Sequence, residues 1–351
     1  MIQAGGYDMA RHVHFVGSIA LDSVEDVFKA FGQTVKPLLK RCPDGEVGGR
    51  RLWISWQWPL LRATAFLEPA SDAAIPGMGL CSLRLKSTAV AADVHFGELG
   101  YAREARASYI DFLTARRQGL IAETTRFQVS LPTPAAVIGA FLIPSDIPKV
   151  LPAYEQAMLA EVQRILNSIP HADLAIQWDV CIEMLQWDGR APQIPPYPGL
   201  ENALKAAFAR LGGAIPADVE LGFHLCYGDM DAKHFVEPLD LSKAVSLANL
   251  LMAASGRTVN WIHMPVPIDR QDTAYFAPLK ELHCSPQTEL YLGLVHAKDG
   301  VEGAARRMRV ADQFVQDFGI ATECGIGRSR TSEMVEALMR IHASAAQIGR
   351  S

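Results

Sequence analysis

Short apolar runs alternate along this chain with longer stretches in which apolar residues recur every three to four positions. The short runs, at 12–17, 39–43, 127–131, 174–178, 219–225, 259–264, 289–295 and 320–324, predict eight strands. The longer stretches predict amphipathic helices near 23–39, 104–121, 148–166, 200–211, 242–254 and 331–345. The clearest helix spans 301–318, where Val301, Ala304, Ala305, Met308, Ala311, Val315 and Phe318 share one face and Gly319 supplies a stop. Strands separated by crossover helices argue for a parallel sheet. Eight of them fit a (β/α)8 TIM barrel better than an open doubly wound sheet.

Two stretches break this rhythm. Residues from about 47 to 100 carry Trp53, Trp56 and Trp58, a middle rich in proline and glycine, and a hairpin pattern around 81–93, too long for a simple connection. They read as an insertion after the second strand, covering the C-terminal mouth of the barrel. Trp56 and Trp58 are spaced like one face of a strand. The second break, 186–199, is a proline-rich loop after the fourth strand. Neither resembles an interdomain linker, so residues 1–351 read as a single barrel domain.

Composition narrows the function classes. The chain has 351 residues, 49% of them hydrophobic, and a net charge of −5 with its basic residues scattered. Nothing there would attract a phosphate backbone, so nucleic acid is not an expected partner. No run approaches the roughly 18 apolar residues of a membrane span, and the N-terminus lacks the charged and apolar regions of a secretory signal. A cytoplasmic location is expected. The six cysteines are widely spaced and do not form a disulfide framework, which leaves reduced thiols available as ligands. The pairs Arg116-Arg117 and Arg306-Arg307 read as solvated helix faces.

Chemistry in such barrels sits at the C-terminal ends of the strands. Those ends are polar here: Gly17-Ser18, Asp44-Gly45-Glu46, Asp179, His224 with Cys226, His263, His296, and Glu323-Cys324. His224 and Cys226 are two apart on an extended chain and point to the same side. With Cys324 at another strand tip, three soft donors could converge on one zinc ion.

In this order the residues resemble the catalytic C-terminal barrel of cobalamin-independent methionine synthase, within the superfamily it shares with uroporphyrinogen decarboxylase. Val16-Gly17-Ser18 resembles that family's first-strand Gly-Ser turn, Asp44-Gly45-Glu46 its Gly-Glu element, and Ile176-Gln177-Trp178-Asp179 its Ile-Gln-x-Asp. His224-Leu225-Cys226-Tyr227 is similar to its His-x-Cys-Tyr zinc motif, His296 falls where it has a proton-donating histidine, and Cys324-Gly325 matches its closing Cys-Gly. The resemblance implies a zinc-dependent thiol alkyl- or methyltransferase, with zinc on His224, Cys226 and Cys324. It implies that Gly17, Ser18, Glu46 and Asp179 hold the amino-acid part of a homocysteine-like thiol, with His296 as general acid.

Two departures stand out. The family's fourth zinc ligand is a strand-six glutamate where this chain has His263, so the expectation is a two-His, two-Cys set with His263 as the fourth donor. Nothing corresponds to the N-terminal half that binds folate in the long synthases, which points to another alkyl donor, such as a corrinoid protein or a reactive small electrophile. The alternatives are a metal-free enzyme resembling uroporphyrinogen decarboxylase, a lyase, or a non-catalytic small-molecule binding protein.

Overall fold

The computed structural model describes residues 10–75, 78–229 and 233–349. Ten strands are present among them: β1 (Val13–His14), β2 (Arg41–Pro43), β3 (Leu67–Ile75), β4 (Leu80–Leu85), β5 (Arg126–Pro132), β6 (Leu174–Val180), β7 (Glu220–Leu225), β8 (Trp261–Pro265), β9 (Glu289–Gly293) and β10 (Gly319–Ala321). Eight form one parallel sheet in the order β1-β10-β9-β8-β7-β6-β5-β2. A parallel bridge from Val13 to Leu39, just before β2, draws the two edges together. With helices outside the sheet, this is the expected (β/α)8 barrel, and the eight predicted runs each overlap one of its strands.

The barrel interior is layered by side-chain size. Near the N-terminal ends, the buried Arg41 guanidinium pairs with Glu220 at 2.5 Å and Glu289 at 2.7 Å and lies 4.2 Å from the Trp261 ring. A Cβ at Gly222 would overlap the Trp261 ring, so glycine is what admits the indole to the barrel. Above this plug, His14 and Trp261 both meet the Gln177 carbonyl oxygen, at 2.9 and 3.3 Å. The floor of the mouth is therefore polar and hydrogen-bonded from strand to strand, which fixes the strands that carry the site.

Four expectations are corrected. The hairpin of the insertion is β3–β4, earlier than 81–93, with residues 91–93 forming a short 3-10 turn instead. It is tied to the barrel wall where the Leu85 amide donates to Asp146 at 2.9 Å. Trp56 and Trp58 are not on a strand: the segment is a turn leading into a helix, Gln57–Arg62, capped by buried hydrogen bonds from Gln57 to Leu99 and from Tyr154 to Gln57. The helix expected over 301–318 runs only Gly300–Ala311. Its end tightens into three-residue turns at Gln313 and Phe314, and Arg11 anchors it by pairing with Asp312 at 2.5 Å while lying over the Phe318 ring. Phe318 is buried because it leads into β10. Arg307 is also buried, held by Asp299 and the carbonyls of Leu294 and Ile268 rather than by solvent.

No helix among the described residues is long and apolar enough to cross a membrane.

Candidate metal centre and substrate pocket

The β6–β7 ladder pairs Asp179 with His224, and its last bond runs from the Cys226 amide to the Val180 carbonyl at 3.0 Å. That register puts His224 beside Asp179, with Cys226 on the same side two residues further toward the mouth and the turn after β10 bringing Cys324 alongside. The Cys226 and Cys324 sulfurs are 3.6 Å apart, and Cys324 Sγ is 3.6 Å from His224 Nε2. Among the described residues this is the one group of three or more His, Cys, Asp or Glu side chains close enough to share an ion. Tetrahedral zinc, with bonds of about 2.3 Å to sulfur and about 2.0–2.1 Å to nitrogen, requires edges of about 3.8 Å (S···S) and about 3.6 Å (S···N). Two of the three donor edges match these values, and the third, between His224 and Cys226, is no longer than 4.8 Å.

His263 occupies a different place from the one expected. Its Nε2 lies 3.0 Å from the Thr322 carbonyl oxygen and its Nδ1 lies 2.7 Å from Nδ1 of His224. A carbonyl can only accept, so Nε2 carries the proton; burial holds the ring neutral, with its pKa lowered to about 3. The bare Nδ1 then accepts from His224 Nδ1–H. His224 is also neutral, its pKa pushed well below the usual value by burial and then by His263 and His14. Hydrogen bonding thus assigns the tautomers and leaves the His224 Nε2 lone pair facing the sulfurs. The two thiols are held protonated. Contact with the Cys181 thiol, followed by burial, raises Cys226 well above its usual pKa, and the Cys226 thiol, followed by burial, does the same to Cys324. The Gly228 amide donates to the Cys226 sulfur at 3.2 Å, a bond that would favour its thiolate.

The three donors open into a cavity of about 620 Å³ that is also lined by Ser18, Glu46, Asp179, Trp53, Cys181 and Arg328. Two of the arginines that could have neutralised Glu46 and Asp179 have other partners. Arg50 pairs with Asp44 at 2.7 Å, and Arg51 donates to the Leu21 carbonyl. Asp44, supported further by Ser108 at 2.6 Å and the Glu46 amide at 2.9 Å, is the structural carboxylate of this turn. Asp179 instead accepts from Gln177 at 2.9 Å and Trp53 Nε1 at 3.2 Å. Among the described residues neither Glu46 nor Asp179 has a basic group within 4 Å. Burial raises Asp179 to about 7, and burial with the neighbouring Asp179 raises Glu46 well above the carboxylate range. Gly17 does not line the cavity but makes room for it: a Cβ there would overlap the Glu46 carboxylate.

Backbone strain concentrates here. Three non-glycine residues among those described have positive φ: Glu46 (46°), Trp53 (56°) and Ser329 (49°). The first two line the cavity and the third follows Arg328. Such conformations are costly and collect where a side chain must be aimed.

His296 sits at the rim. Its Nε2 donates to the Val266 carbonyl at 2.9 Å and its Nδ1 is 3.5 Å from Glu323, whose other oxygen is 3.6 Å from His234. Burial, then Arg307, lowers its pKa to about 4, so it is neutral. Sequence reading gave no site role to several cavity residues, among them Cys181 and Arg328. Cys181, treated as core, is two positions beyond Asp179 and so on the same side of the chain, a signal that was available. Arg328 sits in a turn with no periodicity to reveal it.

No protein-family model matches the chain, and no curated protein sequence does. Among solved structures, the fold matches that of a B12-independent methionine synthase from Shewanella sp. W3-18-1 in complex with selenomethionine. The TM-score is 0.58 at 12% identity, covering 96% of this chain and 97% of that one. At that identity the likeness is one of fold.

Proposed function

We propose that this protein is a zinc-dependent enzyme that alkylates or methylates a small thiol. The observation that carries the reading is the donor geometry: two sulfurs and one bare imidazole nitrogen within 4.8 Å of one another, both edges through Cys324 at 3.6 Å, beside a cavity lined by two carboxyl groups without ion-pair partners among the described residues. Three protein donors leave a fourth position open, the arrangement of catalytic rather than structural zinc. Zinc held there would lower the pKa of a substrate thiol and supply it as a thiolate near neutral pH.

The chain's own residues then have separable tasks. Cys226, Cys324 and His224 hold the metal, while His263 is a positioning residue that fixes the His224 tautomer. Glu46 and Asp179 suit an ammonium group, whose charge would offset the desolvation that keeps them protonated. The backbone around Gly17 and Ser18 takes the carboxylate end. His296, neutral with both ring nitrogens engaged, is placed to hold or pass a proton at the rim through Glu323. The solved neighbour was determined with selenomethionine, an amino acid bearing an alkylated chalcogen, and a homocysteine-like thiol is the matching substrate class here. The alkyl donor, a corrinoid protein or a small electrophile, would approach across the same mouth.

Soaking homocysteine into crystals of the zinc-loaded protein tests this directly. The expected result is substrate sulfur beside Cys226 and Cys324 with the amine between Glu46 and Asp179. Homocysteine bound elsewhere, or excluded from the cavity, would overturn the reading.

A further inference from the structure

Arg328 has no ion-pair partner among the described residues, although it lines a cavity whose other wall carries Glu46 and Asp179. Its one side-chain hydrogen bond among the described residues runs from NH1 to the Asp229 carbonyl at 3.3 Å, while the Asp229 carboxylate lies 3.6 Å from Arg330. The guanidinium carbon lies 5.9 Å from the Trp53 ring centroid, and the Trp53 indole N–H is spent on Asp179. Trp53 thus neighbours both Arg328 and Asp179. A guanidinium carries five donors in a planar fork suited to a carboxylate. Those not used on Asp229 have no protein acceptor among the described residues.

The turn that carries Arg328 is built for close approach. Gly325 and Gly327 lie against Ser18, where a Cβ on either would overlap it. The Ile326 amide donates to the Ser18 carbonyl at 2.7 Å, and Ser329 takes a left-handed conformation with φ of 49°. Glycines and strain together bring Arg328 and Ser18 to the same wall, one turn beyond Cys324.

We propose that Arg328 is a specificity-determining residue that binds the carboxylate of the substrate, so that the pocket selects thiols carrying both an ammonium and a carboxylate group. This rests on the thiol reading above and adds a second recognition point to it. A thiol held at Cys226 and Cys324, with its amine toward Glu46 and Asp179, presents its third substituent to Arg328 and Ser18. A charge-assisted fork there excludes thiols that end in a neutral group, because the guanidinium would lose water without gaining a partner.

The test compares three thiols binding to zinc-loaded wild type and Arg328→Gln by calorimetry: homocysteine, 4-mercaptobutyrate, which lacks the amine, and 3-mercaptopropylamine, which lacks the carboxylate. The variant should bind the two carboxylates roughly 10–100-fold more weakly and the amine within about threefold of wild type, which also shows that it has folded. Equal weakening of all three, or no weakening of the carboxylates, overturns the assignment of Arg328. A wild type that binds none of the three overturns the thiol reading itself, and the inference with it.

Discussion

His224 and His263 share a single hydrogen bond between their Nδ1 atoms, 2.7 Å long, on adjacent strands whose register pairs the two residues directly. The Thr322 carbonyl at the far end of His263 sets the direction of the proton chain. His263 therefore does not have to ligate; in the proposed site it orients His224. Orienting partners of this kind typically contribute 10–100-fold in metal affinity. His263→Ala should weaken zinc binding by roughly that factor while the bound ion keeps one imidazole, measured by chelator competition and by X-ray absorption. Loss of an imidazole from the coordination shell would make His263 a ligand.

The same protonation pattern fixes the pH dependence of metal binding. Both thiols are protonated near neutral pH and His224 is not, so binding must release two protons, not three. Apparent zinc affinity should rise with pH, by about a hundredfold per unit below the thiol pKa values. Competition titrations at several pH values check the slope, and a slope near one would place a thiolate in the metal-free site.

Asp179 makes the free protein sensitive to pH in the opposite direction from a salt-bridged carboxylate. Its pKa is raised to about 7 when folded, so between the ordinary aspartate value near 4 and about 7 the folded state holds a proton that the unfolded state has lost. Stability from this group is present at the acid end and lost as pH rises through that window. Urea midpoints of the metal-free protein and of Asp179→Asn should diverge between pH 5 and 7.5, with the wild type falling relative to the variant. Parallel midpoints would mean that Asp179 is already ionised below pH 5.

Most barrel strands were legible in the sequence as short runs rich in apolar residues, and β6, buried at all seven positions although it carries Gln177 and Asp179, shows why. Period-two spacing likewise showed that His224 and Cys226 share a side. Other features depend on partners that spacing cannot reveal. Nothing in the sequence distinguished the Asp44 carboxylate, consumed by Arg50 and Ser108, from that of Glu46 two residues later, which faces the cavity. The helix after β9 ended early because of Arg11, some 300 residues away in the chain. His263 was readable as a donor at a strand tip, but which way its two nitrogens were spent required the Thr322 carbonyl.

Gly17 gives a test of the pocket that leaves the metal ligands alone. In Gly17→Ala the new methyl would have to displace the Glu46 carboxylate. A stability loss of about 1–3 kcal/mol is expected from overpacking. Binding of 3-mercaptopropylamine should weaken about tenfold, the low end for a lost charge-assisted contact, with zinc affinity unchanged. Unchanged amine binding would remove Glu46 from substrate recognition.

The most direct test is X-ray absorption of the zinc-loaded protein, with and without homocysteine. A shell of two sulfurs and one imidazole nitrogen completed by a light atom, changing to three sulfurs and one nitrogen on addition of the thiol, is the predicted result. Failure to bind zinc stoichiometrically, or a sulfur count that homocysteine does not change, would contradict it.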